Sequence, residues 1–354
     1  RRAEKDDFDW TLGQTSTGKP IVRPSFSMIA EPRCMKFAHH ICTPQVPHDG
    51  TGSAMAVPLV GKNFNLGMLY VERDAGDPPY DAAALVACKA LACSAAMPVD
   101  AILQRSVAVR RAAMVTEKTI ARASQDALTP KSLPVWNNMQ LAAYRHMGAE
   151  SCTDFYDFLQ LRDKSAALFV SRLQAPLHVM PHTFGELRAA FRAAVLYGEA
   201  PHLFARALNW MLFDGHNETQ AHIAVARACP NTGKVTYCIA GSKVIAARIH
   251  ADGTAERIEN SGATAVGHAR SPGYEAGTIE IAKGDSLLLA TAGVESARNA
   301  EGDVFGAHGL CEAICDGLDD TPGHLLNEFA ADLTEFVQGG ANPDDTTVLL
   351  LRRL

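Results

Sequence analysis

The aspartates of this chain are the residues whose type and setting could do chemistry. Asp154 opens an aromatic-rich segment, and Asp344 and Asp345 stand side by side near the C-terminus. Hard divalent cations such as Mn²⁺ and Mg²⁺ bind oxygen ligands, most of which are carboxylates. Aspartates are therefore residues whose type would allow metal-ion chemistry.

The sequence lacks the local signatures of several other active sites. Gly-rich phosphate-binding loops, Ser-His-Asp triads with local signatures and Cys-nucleophile motifs are absent. Nine cysteines are scattered without a CxxC pair, which argues against a disulfide framework or a structural zinc site. His178 and His182 are four residues apart, but Pro181 between them disfavours a pair of ligands on one helix.

Length, charge and hydropathy limit the class of protein. The 354 residues are enough for two domains. The net charge of −6, from 33 basic and 39 acidic residues, does not indicate a surface that binds nucleic acid or an anionic membrane. No apolar run reaches about 18 residues, which predicts no transmembrane helix, and no signal peptide is visible. We therefore expect a cytoplasmic protein, and the start at Arg1 suggests a fragment.

The elements before residue 82 are short. Residues 1–50 are irregular, with Pro, Gly, His and charged residues mixed together. Two apolar runs, Ala54–Val60 and Leu66–Val71, flank a Gly-Lys-Asn turn and predict a β-hairpin. Asp81 follows two prolines and is a plausible N-cap for the helix that comes next.

Residues 82–128 have apolar residues at helical spacing. One side of the predicted helix carries Leu85, Ala92, Val99, Leu103, Val107, Met114 and Ile120. Pro98 should kink this helix or split it in two. A parallel dimeric coiled coil through residues 82–128 is one interpretation, and a helix that lies on its own domain is the other.

The pattern changes beyond Thr129–Pro134, which marks a boundary. Short β-like runs and four helical stretches alternate in two groups, which predicts an α+β layered sandwich. The predicted strands are Gln140–Tyr144, Phe155–Gln160, Ala166–Val170, Ala221–Ala228, Lys234–Ala240, Val244–Ile249, Thr278–Ile281, Ser286–Ala290 and Thr346–Leu351. The predicted helices are Thr183–Tyr197, Pro201–Phe213, Gly309–Asp316 and His324–Gln338.

The N-terminal part resembles a GAF sensor domain. Ser53–Leu59, Leu66–Val71 and Tyr80-Asp81 are similar to the second half of that domain, over about residues 24–100. The resemblance implies a partial α/β module that senses a ligand or dimerises. The sequence does not name the GAF ligand.

From about residue 114 to the C-terminus the chain resembles the SpoIIE-like bacterial serine/threonine phosphatases of the PPM type. The similarity follows a series of motifs in order along the chain. They are Glu117 to Pro134 for the leading helix, Asp154–Phe158 for GGDFYD, Ala240-Gly241 for AGHNP, Gly284–Leu289 for PGDxLLL, Thr291–Asn299 for TDGVTEARN, Phe305-Gly306, and Asp344–Leu349.

The resemblance implies an α/β-β/α sandwich with two Mn²⁺ or Mg²⁺ ions between its sheets. The ions activate a water that attacks a phosphoserine or phosphothreonine, and the family holds them with four aspartates. Asp154 stands at the first position, and Asp344 stands at the last with Asp345 as its neighbour. Arg172 and Ala292 occupy the two middle positions, which makes both of them degenerate metal positions.

The loss of two carboxylates changes the charge of the implied site. Two aspartates and one arginine sum to about −1, against +4 for two dications, and a guanidinium stays protonated. We expect Arg172 to pair with Asp154 or Asp344 and to replace part of the metal charge. The expected cofactor is therefore none, or weakly bound Mn²⁺ or Mg²⁺ at a remnant of Asp154, Asp344 and Asp345, and no residue is assigned a catalytic role.

These observations predict a signalling regulator in three parts: a GAF-like domain over residues 1–100, a helical linker over 101–134 and a SpoIIE-like domain over 135–354. The last domain is expected to bind a protein partner without efficient hydrolysis, and the resemblance suggests a phosphorylated anti-sigma antagonist of the STAS class. One alternative is an active phosphoserine or phosphothreonine phosphatase under GAF control. Another is a purely structural role for a homodimer. Neither a nucleic acid nor a membrane is expected as a partner.

Overall fold

The structure is a computed structural model, and contacts divide the chain into two compact units, Arg1–Ala112 and Ala113–Leu354. The described residues are 40–42, 51–62, 65–74, 76–136, 138–148, 151–215, 218–259, 264–315, 320–338 and 340–354. Most of the predicted irregular segment 1–50 lies outside them. The division between the units falls between the predicted domain boundaries at 100 and 134.

The first unit contains an antiparallel sheet of three strands in the order β1-β2-β3. The strands are β1 (His40–Cys42), β2 (Thr51–Val60) and β3 (Asn65–Asp74). The pairing of β2 with β3 confirms the predicted hairpin. Buried Val57 of β2 packs against Leu85, Cys88 and Ala92 on the helix that follows.

That helix, α1, runs from Ala82 to Leu128 without interruption. The Asp81 carboxylate accepts a hydrogen bond from the backbone N–H of Ala84 at 2.7 Å, so the predicted N-cap is confirmed. The prediction that Pro98 splits the helix is wrong. Proline removes one hydrogen bond at an internal position, and the alanine-rich stretch before it and the helix-forming Ala101, Leu103 and Gln104 after it favour continuation of the helix.

Many large apolar side chains on α1 are exposed in the structure. They are Val86, Leu91, Met97, Ile102, Val107, Val109, Met114, Val115 and Ile120. One stretch of 18 residues in α1 has a mean hydropathy of 1.7 and is 22% buried, so by length and composition α1 could cross a membrane. Helices of other kinds meet the same criterion, and the expectation of no membrane partner stays a prediction.

The second unit is built on two five-stranded antiparallel sheets. One has the order β10-β9-β12-β13-β4, and the other has the order β11-β8-β7-β6-β5. The strands are β4 (Met139–His146), β5 (Asp154–Gln160), β6 (Ala166–Gln174), β7 (Gln220–Ala228), β8 (Lys234–Ala240), β9 (Val244–Ile249), β10 (Ala255–Arg257), β11 (Gly277–Glu280), β12 (Ser286–Thr291) and β13 (Thr346–Arg353).

Three apolar clusters hold the second unit together. The cluster between the sheets includes Phe158, Val170 and Leu349. Helices α2 (Met180–Leu196) and α3 (Pro201–Gly215) cover the outer face of the β5–β6–β7–β8 sheet. Helices α4 (Gly306–Cys315) and α5 (Pro322–Phe336) cover the outer face of the other sheet. The predicted α/β-β/α layered sandwich is confirmed.

Most predicted strands and helices match the structure to within a few residues. The main difference is β6, which was predicted to end at Val170 and continues to Gln174. Arg172 therefore lies within a strand and not in the turn that follows it. The reason is that Ser171, Arg172 and Leu173 keep the alternation of faces that β6 begins.

Candidate functional site

Several strands end at one edge of the sandwich and bring polar side chains into the space between the sheets. Asp154 opens β5 and pairs in register with Arg172 of β6, which pairs in turn with His222 of β7. Residues two and four positions further along β5 are Tyr156 and Phe158, which belong to the core between the sheets. Because side chains alternate along a strand, Asp154 and its paired residues Arg172 and His222 face the space between the two sheets.

Arg172 forms an ion pair with Asp344, with 2.6 Å between Nη2 and Oδ2. The Arg172 side chain is 12% exposed and that of Asp344 is 30% exposed. The predicted internal ion pair is therefore present, and Asp344 rather than Asp154 is the partner. The second terminal nitrogen of Arg172, Nη1, is buried without a hydrogen-bond partner among the described residues.

Asp154 is almost completely buried, at 1% exposure. Its carboxylate accepts hydrogen bonds from the hydroxyls of Thr291 and Thr153. Burial raises the pKa of Asp154 to about 7, the charge of Asp345 adds to this effect, and the Arg172 charge and the two hydroxyls oppose it. Each oxygen of the Asp154 carboxylate therefore already accepts one hydroxyl hydrogen bond.

Asp345 is buried and is tied to the surrounding backbone. One carboxylate oxygen accepts the N–H of Gly148 at 2.9 Å. The other accepts the N–H of Thr153 at 2.9 Å, that of Asp154 at 3.4 Å, and an amide N–H of Gln125 at 3.2 Å. Asp345, which was predicted to be a remnant metal ligand, therefore uses its oxygens to hold the loop before β5 in place.

Gln125, near the end of α1, is fully buried beside these aspartates. Its side-chain amide donates to the backbone oxygen of Asp154 as well as to Asp345. Its amide oxygen accepts a hydrogen bond from Arg145 at 2.7 Å. Sequence reasoning placed Gln125 in the leading-helix motif but did not find this role, since the partners lie far along the chain.

Ala292 occupies the other degenerate position and is buried. Its backbone N–H donates to the carbonyl oxygen of Lys243 at 3.0 Å. A 3-10 turn, Ala292–Glu295, begins here. The methyl side chain offers no oxygen, so this position contributes no side-chain ligand.

His222 extends the edge toward the turn after β8. Its Nδ1 atom is buried without a hydrogen-bond partner among the described residues. Burial lowers the pKa of His222 to about 4, and the charges of Lys243 and Arg172 lower it further. The imidazole is therefore neutral near pH 7, and both cations lie near it.

Gly241 allows the chain to pass close to His222. Its φ of +84° is in the left-handed region, and a Cβ atom there would lie 2.1 Å from the His222 Nδ1 atom. We expect Gly241→Ala to lower the free energy of unfolding by about 2–4 kcal/mol, from the backbone strain and the overpacking together. Urea denaturation measures this difference.

Gly198→Ala is the matched control, because Gly198 has a similar φ of +74° but open space where its Cβ would lie. We expect a loss of only about 1–2 kcal/mol there. Equal losses in both variants would show that contact with His222 does not matter.

The residues of this edge do not fit a pair of divalent cations. Arg172 and Ala292 provide no carboxylate, and Asp344 is paired with the Arg172 guanidinium. Asp345 is saturated by N–H donors, and Asp154 is buried under two hydroxyls. Hard cations need oxygen ligands with compensating negative charge, and this edge holds a fixed cation of its own.

The comparison with protein families gives one match in the second unit. Residues 182–354 match the family model described as "Stage II sporulation protein E (SpoIIE)". A comparison with curated proteins gave no match.

Solved structures with the same fold include three from bacteria. The RsbU and RsbW domains of a Mycobacterium tuberculosis protein match with 21% identity and a TM-score of 0.54, over 64% of this chain and 63% of that chain. The SiaA PP2C domain of Pseudomonas aeruginosa matches with 17% identity and a TM-score of 0.54, over 68% of this chain and 98% of that chain. The SpoIIE PP2C phosphatase domain of Bacillus subtilis, with a fragment of its regulatory domain, matches with 12% identity and a TM-score of 0.50, over 61% of this chain and 63% of that chain.

Proposed function

Because residues 182–354 carry a SpoIIE-type domain of the PPM phosphatase family, we propose that this protein is a signalling regulator whose phosphatase-fold domain binds a phosphoprotein without efficient hydrolysis. The proposal concerns the chemistry of one edge of the sandwich. By the family resemblance, the strand ends at this edge correspond to the metal positions of a two-metal phosphatase, and two of these positions are Arg172 and Ala292.

The observation that carries the proposal is the ion pair between Arg172 and Asp344 at 2.6 Å. A guanidinium at a metal position repels a dication, and it also occupies one of the two carboxylates that remain. Ala292 removes a further ligand. A water molecule at this edge would lack the paired dications that lower its pKa and stabilise the charge of the transition state.

The proposed partner is a phosphorylated protein, and a STAS-type anti-sigma antagonist is the candidate that the family resemblance suggests. The Mycobacterium tuberculosis structure combines an RsbU domain with an RsbW domain, which supports a role for this fold beside other signalling domains. The GAF-like assignment of residues 1–100 and the cytoplasmic location belong to the same proposal.

Dimerisation through residues 82–128 is also part of the proposal. The exposed apolar side chains of α1, such as Val107 and Met114, support it, because burial in a helix pair would remove them from water. Sedimentation equilibrium of the full chain tests it, with twice the chain mass of 37.9 kDa as the expected result.

The alternative is a weakened but active phosphatase that uses one ion. The presence of both Asp154 and Asp344 at the edge favours this alternative. The two functions differ in what Mn²⁺ does to turnover of a small phosphate ester.

With p-nitrophenyl phosphate and Mn²⁺, we expect the unmodified chain to show no more turnover than its Asp344→Asn variant, because no ion is held in place. Release of p-nitrophenol measures the rate. The control is Asp214→Asn, which removes an exposed carboxylate on α3. Mn²⁺-dependent turnover that survives in the control and disappears in Asp344→Asn would establish the active phosphatase instead.

A further inference from the structure

Three strand residues of this edge each have a buried polar atom that lacks a hydrogen-bond partner among the described residues. The Nη1 atom of Arg172, the Nδ1 atom of His222 and the hydroxyl oxygen of Thr347 are all buried and unpaired among the described residues. Buried polar groups usually have a hydrogen-bond partner, because leaving one unpaired is costly. The Arg172 guanidinium can only donate and the Thr347 hydroxyl is able to donate, so one acceptor group could satisfy both.

The charges of this edge are much less negative than those of a site with four carboxylates. Arg172 lies in β6, and Lys243 lies in the turn between β8 and β9, where its side chain is exposed. Arg172 pairs in register with His222, and Lys243 lies two residues after Gly241, which passes close to His222, so both charges act on this histidine. The charges of Arg172 and Lys243 offset those of Asp154 and Asp344, and the carboxylate of Asp345 accepts N–H hydrogen bonds from the surrounding loop and from Gln125.

Asp344 is the more exposed member of the ion pair, at 30% against 12% for Arg172. Its pairing with Arg172 is the side-chain contact described for it. If the Asp344 carboxylate turns toward solvent, Arg172 is therefore the donor that loses its acceptor. The guanidinium of Arg172 would then face the opening with both terminal nitrogens available.

We propose that Arg172 binds the phosphoryl group of the partner's phosphoserine or phosphothreonine, and that the Asp344 carboxylate holds the Arg172 guanidinium until the phosphoryl group replaces it. This inference rests on the proposed function and names the residue that carries out its recognition step. Asp344 thus acts as an internal competitor for the ligand. The exchange breaks and forms only ion pairs and hydrogen bonds.

A phosphate monoester fits this exchange better than a second carboxylate does. A guanidinium presents parallel N–H donors that match two phosphate oxygens. A phosphoryl group offers three acceptor oxygens and a charge near −2, so it can pair with Nη1 and Nη2 together. The exposed ammonium of Lys243 supplies a second positive charge at the rim.

The test measures binding of N-acetyl-O-phosphoserine methylamide to the full chain by calorimetry, without added metal. Asp344→Asn is expected to bind this probe about fivefold more tightly than the unmodified chain, because the competitor is gone. Arg172→Gln is expected to bind it at least about tenfold more weakly. Arg172→Lys keeps the charge but loses the paired donors, so most of the affinity should also be lost.

The matched controls are Asp214→Asn, an exposed carboxylate on α3, and Arg227→Gln, which breaks a surface ion pair with Asp163. Neither should change the affinity, and circular dichroism checks that each variant folds. Weaker or unchanged binding in Asp344→Asn would overturn the inference. Retention of full affinity in both Arg172 variants would overturn it as well.

The same samples separate this inference from the function on which it rests. Phosphorus NMR with added Mn²⁺ follows release of inorganic phosphate from the probe. Release by the unmodified chain would overturn the proposed function, whatever the affinity series shows. Absence of both release and measurable binding would overturn the role of Arg172 and leave the absence of hydrolysis in place.

Discussion

An Arg172→Asp/Ala292→Asp double variant is expected to bind Mn²⁺ at least about 100-fold more tightly than the unmodified chain. The two substitutions restore a carboxylate at each degenerate position and remove the fixed cation. Asp344 is then released from its ion pair. Four carboxylates at one edge would compensate the charge of paired dications, which two cannot do.

Calorimetric titration with Mn²⁺ measures the gain. Arg172→Ala alone removes the repulsion without adding a ligand, so it should gain much less than the double variant. The charge-matched control is Lys131→Asp/Ala207→Asp, which makes the same change of charge at two exposed positions. A similar gain in that control would attribute the effect to net charge and not to the site.

Arg192→Ala is expected to lower the free energy of unfolding by about 3–5 kcal/mol. The side chain of Asp157 is fully buried, and Arg192 of α2 pairs with it through two hydrogen bonds, at 2.7 Å and 3.0 Å. The substitution leaves the carboxylate of Asp157 buried without its main counter-charge. Urea denaturation followed by tryptophan fluorescence measures the loss.

Arg188→Ala is the control for this prediction, because Arg188 lies 3.8 Å from the same carboxylate and makes a weaker contact. We expect a loss of about 1 kcal/mol or less there. Replacing both charges in Asp157→Asn/Arg192→Met should cost less than Arg192→Ala alone, since no charge is left buried. If Arg192→Ala and Arg188→Ala unfold at the same urea concentration, the pairing of Asp157 does not stabilise the domain.

The sheets of the second unit could be predicted well because their strands are both apolar and bounded by turn residues. The predicted strands Lys234–Ala240 and Val244–Ile249 match β8 and β9 residue for residue. Short strand β10 was missed, since Ala255–Arg257 is exposed and carries no apolar pattern. The continuous course of α1 through Pro98 was missed because a local rule cannot weigh one lost hydrogen bond against the turns on either side.

The candidate site was only partly predictable. Motif positions identified Asp154, Arg172, Ala292 and Asp344, because a residue type at a fixed place in a pattern is visible in the sequence. Contacts between distant segments are not visible in this way. The bond from Gln125 to Asp345 joins residues 220 positions apart. It therefore needed the fold, as did the choice of Asp344 over Asp154 as the partner of Arg172.

The pairing of Asp157 with Arg192 is another contact that the sequence did not predict. Asp157 stands in the same motif as Asp154, but the family resemblance gives a metal position to Asp154 only. The structure separates them, because their odd spacing puts them on opposite faces of β5. Asp154 faces the edge between the sheets, and Asp157 faces α2.

Anomalous diffraction from manganese-soaked crystals of the full, unmodified chain tests the central claim most directly. The account predicts no pair of manganese peaks between Asp154 and Asp344, with the guanidinium of Arg172 still bound to Asp344. Two fully occupied manganese ions at that edge, with Arg172 displaced, would contradict it.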